Sequence, residues 1–175
     1  YVGSVTAYLL HVLGYEVIII DAMLHQQKIF PSWARVIKSD INNSTVLTAL
    51  FQEYDIDTVM HFAGFIEVGE SVKRPDAFYR NNVTNSLQLL DIMRQHGTKN
   101  LIFSSSCAVY GNPVYVPMDE VHSFAPVNPY GRTKLAVEFA IQDYAQAFDF
   151  SYGILRYFNA AGALPEYGLG ECHVP

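Results

Sequence analysis

Apolar residues recur at helical spacing from Val5 to Leu13, and Gly14 is placed to cap that helix. The run Glu16-Val17-Ile18-Ile19-Ile20-Asp21 is then almost continuously apolar and ends on an acid, the pattern of a strand buried in a parallel sheet. The alternation repeats down the chain. Asn43 or Ser44 caps a predicted helix through Tyr54, Thr58-Val59-Met60-His61-Phe62 reads as a strand, and Ala63 to Gly69 as a loop. A longer helix is predicted from about Asn81 to His96, with Val83, Leu87, Leu90 and Met93 on one face and Gly97 as its stop. The strand Leu101-Ile102-Phe103-Ser104 follows. Gly111 to Pro129 holds Pro113, Pro117, Pro126 and Pro129, and is therefore an irregular excursion of the length that usually serves function. The helix from Tyr130 to about Phe148 is predicted to bury Ala136, Phe139, Ala140 and Tyr144, and Ser151 to Tyr157 returns as a strand.

Strands alternating with helices, without repeats or low-complexity tracts, predict an α/β fold with a doubly wound parallel (Rossmann) sheet. The opening helix and strand make half of a βαβ unit, so the sheet's first strand is expected to precede Tyr1. It would lie at the sheet centre, between the strands ending at Asp21 and Ser104. Ligands of such folds sit beyond the carboxyl ends of the strands, where Asp21, Phe62, Ser104 and Tyr157 are found.

Composition narrows the class. Half of the 175 residues are hydrophobic and 16% are charged, which suits one compact core. A net charge of -6 argues against nucleic acid and anionic membrane as partners and favours a small molecule. Cys107 and Cys172 are too few for a disulfide scaffold and lack the spacing of a zinc site, so no metal is expected and a reducing cytoplasm is the default compartment. No apolar run approaches the roughly 20 residues that span a bilayer.

Two constellations carry candidate chemistry. Gly3 opens a helix and Asp21 ends a strand eighteen positions later, the spacing of the last glycine and the ribose-binding acid of a dinucleotide fingerprint. A packing glycine and a solvated turn aspartate give the same pattern. If Asp21 holds a ribose diol, its charge repels a 2′-phosphate, and neighbouring Ala22 and Met23 offer no compensating arginine, which favours NAD over NADP. Asp40 is placed to meet the adenine edge or simply to face solvent. The second constellation is the triplet Ser104-Ser105-Ser106 with Tyr130 and Lys134, four residues apart and so on one helix face. A free phenol has a pKa of about 10, so a tyrosine base near neutral pH needs roughly 4 kcal/mol of phenolate stabilisation. Lys134 and a positive nicotinamide ring are the sources at hand.

Six ordered motifs carry a resemblance. They are Tyr1-Val2-Gly3-Ser4; His61-Phe62-Ala63-Gly64 with Val68-Gly69-Glu70-Ser71; Tyr79-Arg80-Asn81-Asn82-Val83; Phe103 to Gly111; Asn128 to Lys134; and Arg156 to Ala163. Over essentially its whole length the chain resembles the extended short-chain dehydrogenase/reductase family, and within it the UDP-glucose 4-epimerases. The resemblance implies an isomerase that interconverts UDP-glucose and UDP-galactose through a 4-keto intermediate with tightly bound NAD. It implies Tyr130 as the base at the sugar 4-hydroxyl, Ser106 as the group that orients or relays that proton, and Lys134 as the holder of the nicotinamide ribose. Cofactor contacts are implied for Gly3, Asp21, Asp40, Ile41, Phe62, Ala63, Gly64, Asn81, Ser104, Tyr130, Lys134 and Tyr157, and substrate contacts for Ser106, Tyr130, Phe158 and Asn159. Cys107 and Ala108 stand where related 4,6-dehydratases place an Asp-Glu pair, which disfavours elimination. Ala22 and Ile66 replace an asparagine and a lysine found in some bacterial members. Residues 1–175 are expected to be an incomplete NAD-binding domain, with a substrate domain beyond Pro175 and a homodimer formed through two helices per subunit. Other readings are a 4-epimerase of a uronic-acid or pentose nucleotide, a dehydratase, and a non-catalytic NAD sensor.

Overall fold

The computed structural model describes residues 1–23 and 32–170; Cys172 lies outside the described residues. The chain divides into two compact units, one drawn from residues 1–43 and 159–175 and the other spanning Ser44–Phe158.

In the first unit, helix α1 (Val2–Val12) precedes strand β1 (Ile18–Asp21), which pairs in parallel with β2 (Arg35–Lys38). Gly14 at φ +89 turns the chain out of the helix, a conformation that glycine adopts without a Cβ penalty. The unit is packed by aromatic contacts of Tyr8 with Trp33 and Tyr167, and His11 stacks on Trp33.

The second unit holds α2 (Ser44–Glu53), β3 (Thr58–His61), α3 (Val68–Lys73), α4 (Pro75–Phe78), a π-helical turn (Tyr79–Thr84), α5 (Asn85–His96), β4 (Asn100–Ser106), α6 (Pro129–Phe148) and β5 (Ser151–Tyr157). Its sheet runs β3-β4-β5, all parallel. The expected α/β class and parallel pairing are observed, in two ladders, β1-β2 and β3-β4-β5. The expected place of a preceding strand is corrected. Both edges of β4 are already hydrogen-bonded, to β3 and to β5, so a further strand cannot pair directly with the one carrying Ser104.

Other expectations shift by a turn or a face. β4 continues through Ser106, so the serine triplet is part of the strand and not its exit. The loop after β3 is shorter than expected because α3 starts at Val68. Leu87 is 36% exposed, while Ser86, Leu89, Leu90 and Met93 face inward. Ser86 is drawn in by a bond with buried His61, which rotates the inward face by one residue. On α6, Phe139 is 48% exposed, Ala136, Ala140 and Tyr144 are half-buried, and the buried stripe is Tyr130, Thr133, Lys134, Val137, Glu138 and Ile141. Polar residues hold that stripe because each finds a partner inside.

Candidate active site

The N-terminus of α6 is set by local chemistry. Asn128 accepts from the Gly131 amide at 2.8 Å as an N-cap, and Pro129 follows at the first helical position, where its missing N–H costs nothing. Gly131 then rests on the turn after β4. A Cβ at Gly131 would lie 2.5 Å from the Ala108 carbonyl oxygen, so only glycine allows the helix to come this close. The approach sets Tyr130 against the serine strand, where the Ser106 side chain acts to lower the pKa of its phenol. Ser106 also accepts from the Ala108 amide at 3.2 Å. Tyr157 is the register partner of Ser106 across the β4–β5 ladder.

One turn along α6, Lys134 is 4% exposed and donates to the Ser104 carbonyl at 2.9 Å. Its ammonium lies 5.0 Å from the centre of the Phe103 ring and 5.9 Å from that of Tyr130. Burial pulls its pKa down to about 8, and the Glu138 carboxylate pushes the other way. Tyr130 shifts upward, because burial outweighs the opposing pull of the Ser106 hydroxyl.

The loop after β3 is fastened to α6 by Asn82. Its Oδ1 accepts from the Phe65 amide at 2.8 Å, and its Nδ2 donates to the Phe65 carbonyl at 3.0 Å and to Thr133 Oγ1 at 3.2 Å. Thr133 in turn donates to the Tyr130 carbonyl at 2.7 Å. A Cβ at Gly64 would come within 3.2 Å of Asn82 Oδ1 and 3.5 Å of Lys134 Nζ, so this glycine brings backbone close to the lysine. The π-helical turn faces Asn82 inward and leaves Asn81 half-buried. His61 is a satisfied core histidine. Ser86 Oγ donates to the Asn82 carbonyl at 2.7 Å and therefore accepts from His61 Nε2–H at 2.8 Å. Burial first, and the Lys134 charge second, lower the His61 pKa to about 3, so the ring adds no charge beside the lysine.

Ser104, Ser106, Tyr130, Lys134, Phe62, Ala63, Gly64, Asn81, Tyr157 and Phe158 all belong to the second unit; Phe62 is half-buried, and Ala63 and Phe158 are exposed. Gly3, Asp21, Asp40, Ile41 and Asn159 belong to the first. There Asp21 closes β1 and accepts from the Met23 amide at 2.7 Å, while Asp40 accepts from the Asn42 amide at 2.9 Å. Ile41 is buried and Asn159 is exposed.

A family model described as the NAD dependent epimerase/dehydratase family matches residues 1–174. The chain belongs to that family. It is similar to the UDP-glucose 4-epimerase of Rhizobium meliloti (strain 1021), 45% identical over 175 residues, covering 100% of this chain and 53% of that protein. It is also similar to the UDP-glucose 4-epimerase of Homo sapiens, 40% identical over 188 residues, covering 98% and 54%. The crystal structure of UDP-glucose 4-epimerase from Brucella ovis in complex with NAD matches with a TM-score of 0.93 at 43% identity, over 99% of this chain and 53% of that one. The chain spans about half the length of the curated relatives it matches.

Sequence reading of this epimerase/dehydratase family member passed over a buried ion pair beside the trio. Glu138 is fully buried and accepts from Arg156 through Nε to both carboxylate oxygens at 3.2 Å and through Nη2 at 2.8 Å, and from the Ser105 hydroxyl. Arg156 also donates to the Tyr110 hydroxyl at 2.9 Å and lies 4.6 Å from the centre of the Phe124 ring, which anchors the Pro-rich excursion to the sheet. The available signal was a glutamate four residues after Lys134, on the helix's inward face. No helix among the described residues is long and apolar enough to cross a membrane.

Proposed function

We propose that this chain carries the cofactor-binding and proton-handling half of a cytoplasmic UDP-glucose 4-epimerase, which interconverts UDP-glucose and UDP-galactose and acts as a homodimer. The observation that carries this reading is the convergence of Ser106, Tyr130 and buried Lys134, with Ser106 lowering the phenol pKa, the ammonium fixed on Ser104 and that ammonium 5.9 Å from the Tyr130 ring centre. Family membership and similarity to UDP-glucose 4-epimerases support it. The set of donors suits the nicotinamide-ribose end of NAD: a buried ammonium with one bond to backbone, a phenol, and at Gly64 a backbone free of side chain. Lys134, Tyr130, Ser104, Tyr157, Phe62, Ala63, Gly64 and Asn81 would hold that end, and Gly3, Asp21, Asp40 and Ile41 the adenosine end. NAD, when bound, supplies a hydride acceptor that returns the same hydride, together with a positive charge.

Within that frame Tyr130 takes the proton of the sugar 4-hydroxyl as C4 is oxidised and gives it back when C4 is reduced on its other face. Ser106, beside the phenol, orients the 4-oxygen so that the proton moves along a fixed path. Burial favours the neutral phenol, so positive charge at the site is needed to make it a base near pH 7. Lys134 contributes part of that charge, held in place by Ser104. Phe158 and Asn159 follow β5 and are assigned to the sugar nucleotide. Cys107 and Ala108 supply no carboxyl group for eliminating water, so the sugar leaves with its 6-hydroxyl.

The test uses UDP-galactose deuterated at C4 and the intact protein that contains this chain. UDP-glucose that keeps deuterium at C4 is expected, because one hydride is removed and returned. Failure to form UDP-glucose, or loss of the label to solvent, contradicts the reading.

A further inference from the structure

Glu138 has a place in the molecule that neither catalysis nor packing accounts for. Its carboxylate joins three elements. It stands on α6 one turn beyond Lys134, accepts from Ser105 on β4, and is gripped by Arg156 on β5. Ser105 and Arg156 are themselves register partners, and Ser105 precedes Ser106, the serine that acts on the Tyr130 phenol. A buried ion pair is a weak stabiliser, since apolar side chains of similar volume often serve as well. A charge kept at this depth therefore calls for another reason.

We propose that Glu138 is a positioning residue for the trio: one carboxylate that locks the Ser106-bearing strand to the Lys134-bearing helix and stations a negative charge beside the lysine. The surroundings of Lys134 assign this task to Glu138. On β3, His61 is neutral; on α6 itself, Tyr130 is an uncharged phenol; on β5, Arg156 is engaged by Glu138. Burial works against the ammonium, and Glu138 is the group that works for it. Arg156 alone, through three bonds, keeps the carboxylate in place, so the charge does not depend on the Ser105 contact.

The inference rests on the proposed role of Lys134 only in its activity arm. In the intact protein with lysines labelled by carbon-13 at Cε, the Lys134 resonance is identified by its loss in Lys134→Arg and titrated without NAD. Three variants are compared: Glu138→Gln, Ser105→Ala, and Glu138→Gln with Arg156→Gln, the last removing both charges should the single change fail to fold. The Lys134 midpoint is expected to fall by about one pH unit in the variants lacking the carboxylate, roughly tenfold in acid dissociation, and to stay in place in Ser105→Ala. The alkaline limb of kcat for UDP-galactose conversion should move with it, whereas Ser105→Ala lowers kcat and leaves the limb where it was. An unmoved midpoint without Glu138 overturns the proposal, as does an equal shift in Ser105→Ala, which would point to repacking and not to charge. An inactive protein whose midpoint still shifts would end the epimerase reading and leave the role of Glu138 standing.

Discussion

The Lys134 ammonium binds the Ser104 carbonyl at 2.9 Å and stands 5.9 Å from the centre of the Tyr130 ring. The lysine is thus anchored to the strand that presents Ser106, with its ammonium on the same side as the Tyr130 ring. Burial holds the lysine pKa near 8, below its ordinary 10.5, so keeping the ammonium buried costs stability. Lys134→Met removes that cost along with the bond to Ser104. Its unfolding free energy from urea denaturation at pH 7 is expected to stay within about 1 kcal/mol of the parent, while conversion of UDP-galactose collapses. A large loss of stability would show that the lysine is there for the fold.

His61 should make the protein sensitive to acid. Its folded pKa of about 3 lies below the ordinary 6.5, so between these values the unfolded chain binds more protons than the folded one. The contribution is complete above pH 6.5 and is lost as pH falls towards 3, on the order of 4 kcal/mol in all. Urea denaturation at pH 7 and pH 4.5 is expected to show a smaller acid loss in His61→Gln than in the parent. Equal losses would remove His61 from the account.

Gly131→Ala drives a methyl group to 2.5 Å from the Ala108 carbonyl, against backbone that cannot rotate away. The start of α6 must back off from the turn after Ser106, drawing Tyr130 away from that serine. A cost of about 1–3 kcal/mol is expected from such overpacking, with kcat falling more than KM rises. Unchanged kcat would mean that the Tyr130–Ser106 contact does not depend on this close approach.

Much of this was legible locally. The αL stop at Gly97 and the bounds of β5 follow from a glycine and an apolar run, features of a few adjacent residues. Tyr130, Lys134 and the serines were legible because a spacing of four on a helix fixes a shared face. The inward face of α6 was not. Phe139 points outward and Glu138 inward because the partner of Glu138, Arg156, comes from a strand eighteen residues later, and no local pattern encodes that pairing. Ser86 displaced Leu87 from the inward face of α5 for the same reason, through a bond to His61 twenty-five residues earlier.

Asn82 offers a check on the loop beside the lysine. Asn82→Ala removes both bonds to Phe65 and the bond to Thr133, leaving the Phe65 amide without that acceptor. A loss of about 1–3 kcal/mol is expected, with faster hydrogen exchange at the Phe65 amide. Exchange at the parent rate would mean that other contacts hold the loop.

The central claim is that Tyr130 moves the proton at C4. Tyr130→Phe keeps the ring and removes the hydroxyl, so packing under the 8% exposed side chain is preserved. The rate at which the intact protein converts UDP-galactose to UDP-glucose, compared between Tyr130→Phe and the parent at equal folded concentration, tests it most directly. A fall of roughly a hundred- to ten-thousand-fold is expected for loss of the group that transfers the proton; conversion at the parent rate would contradict the assignment.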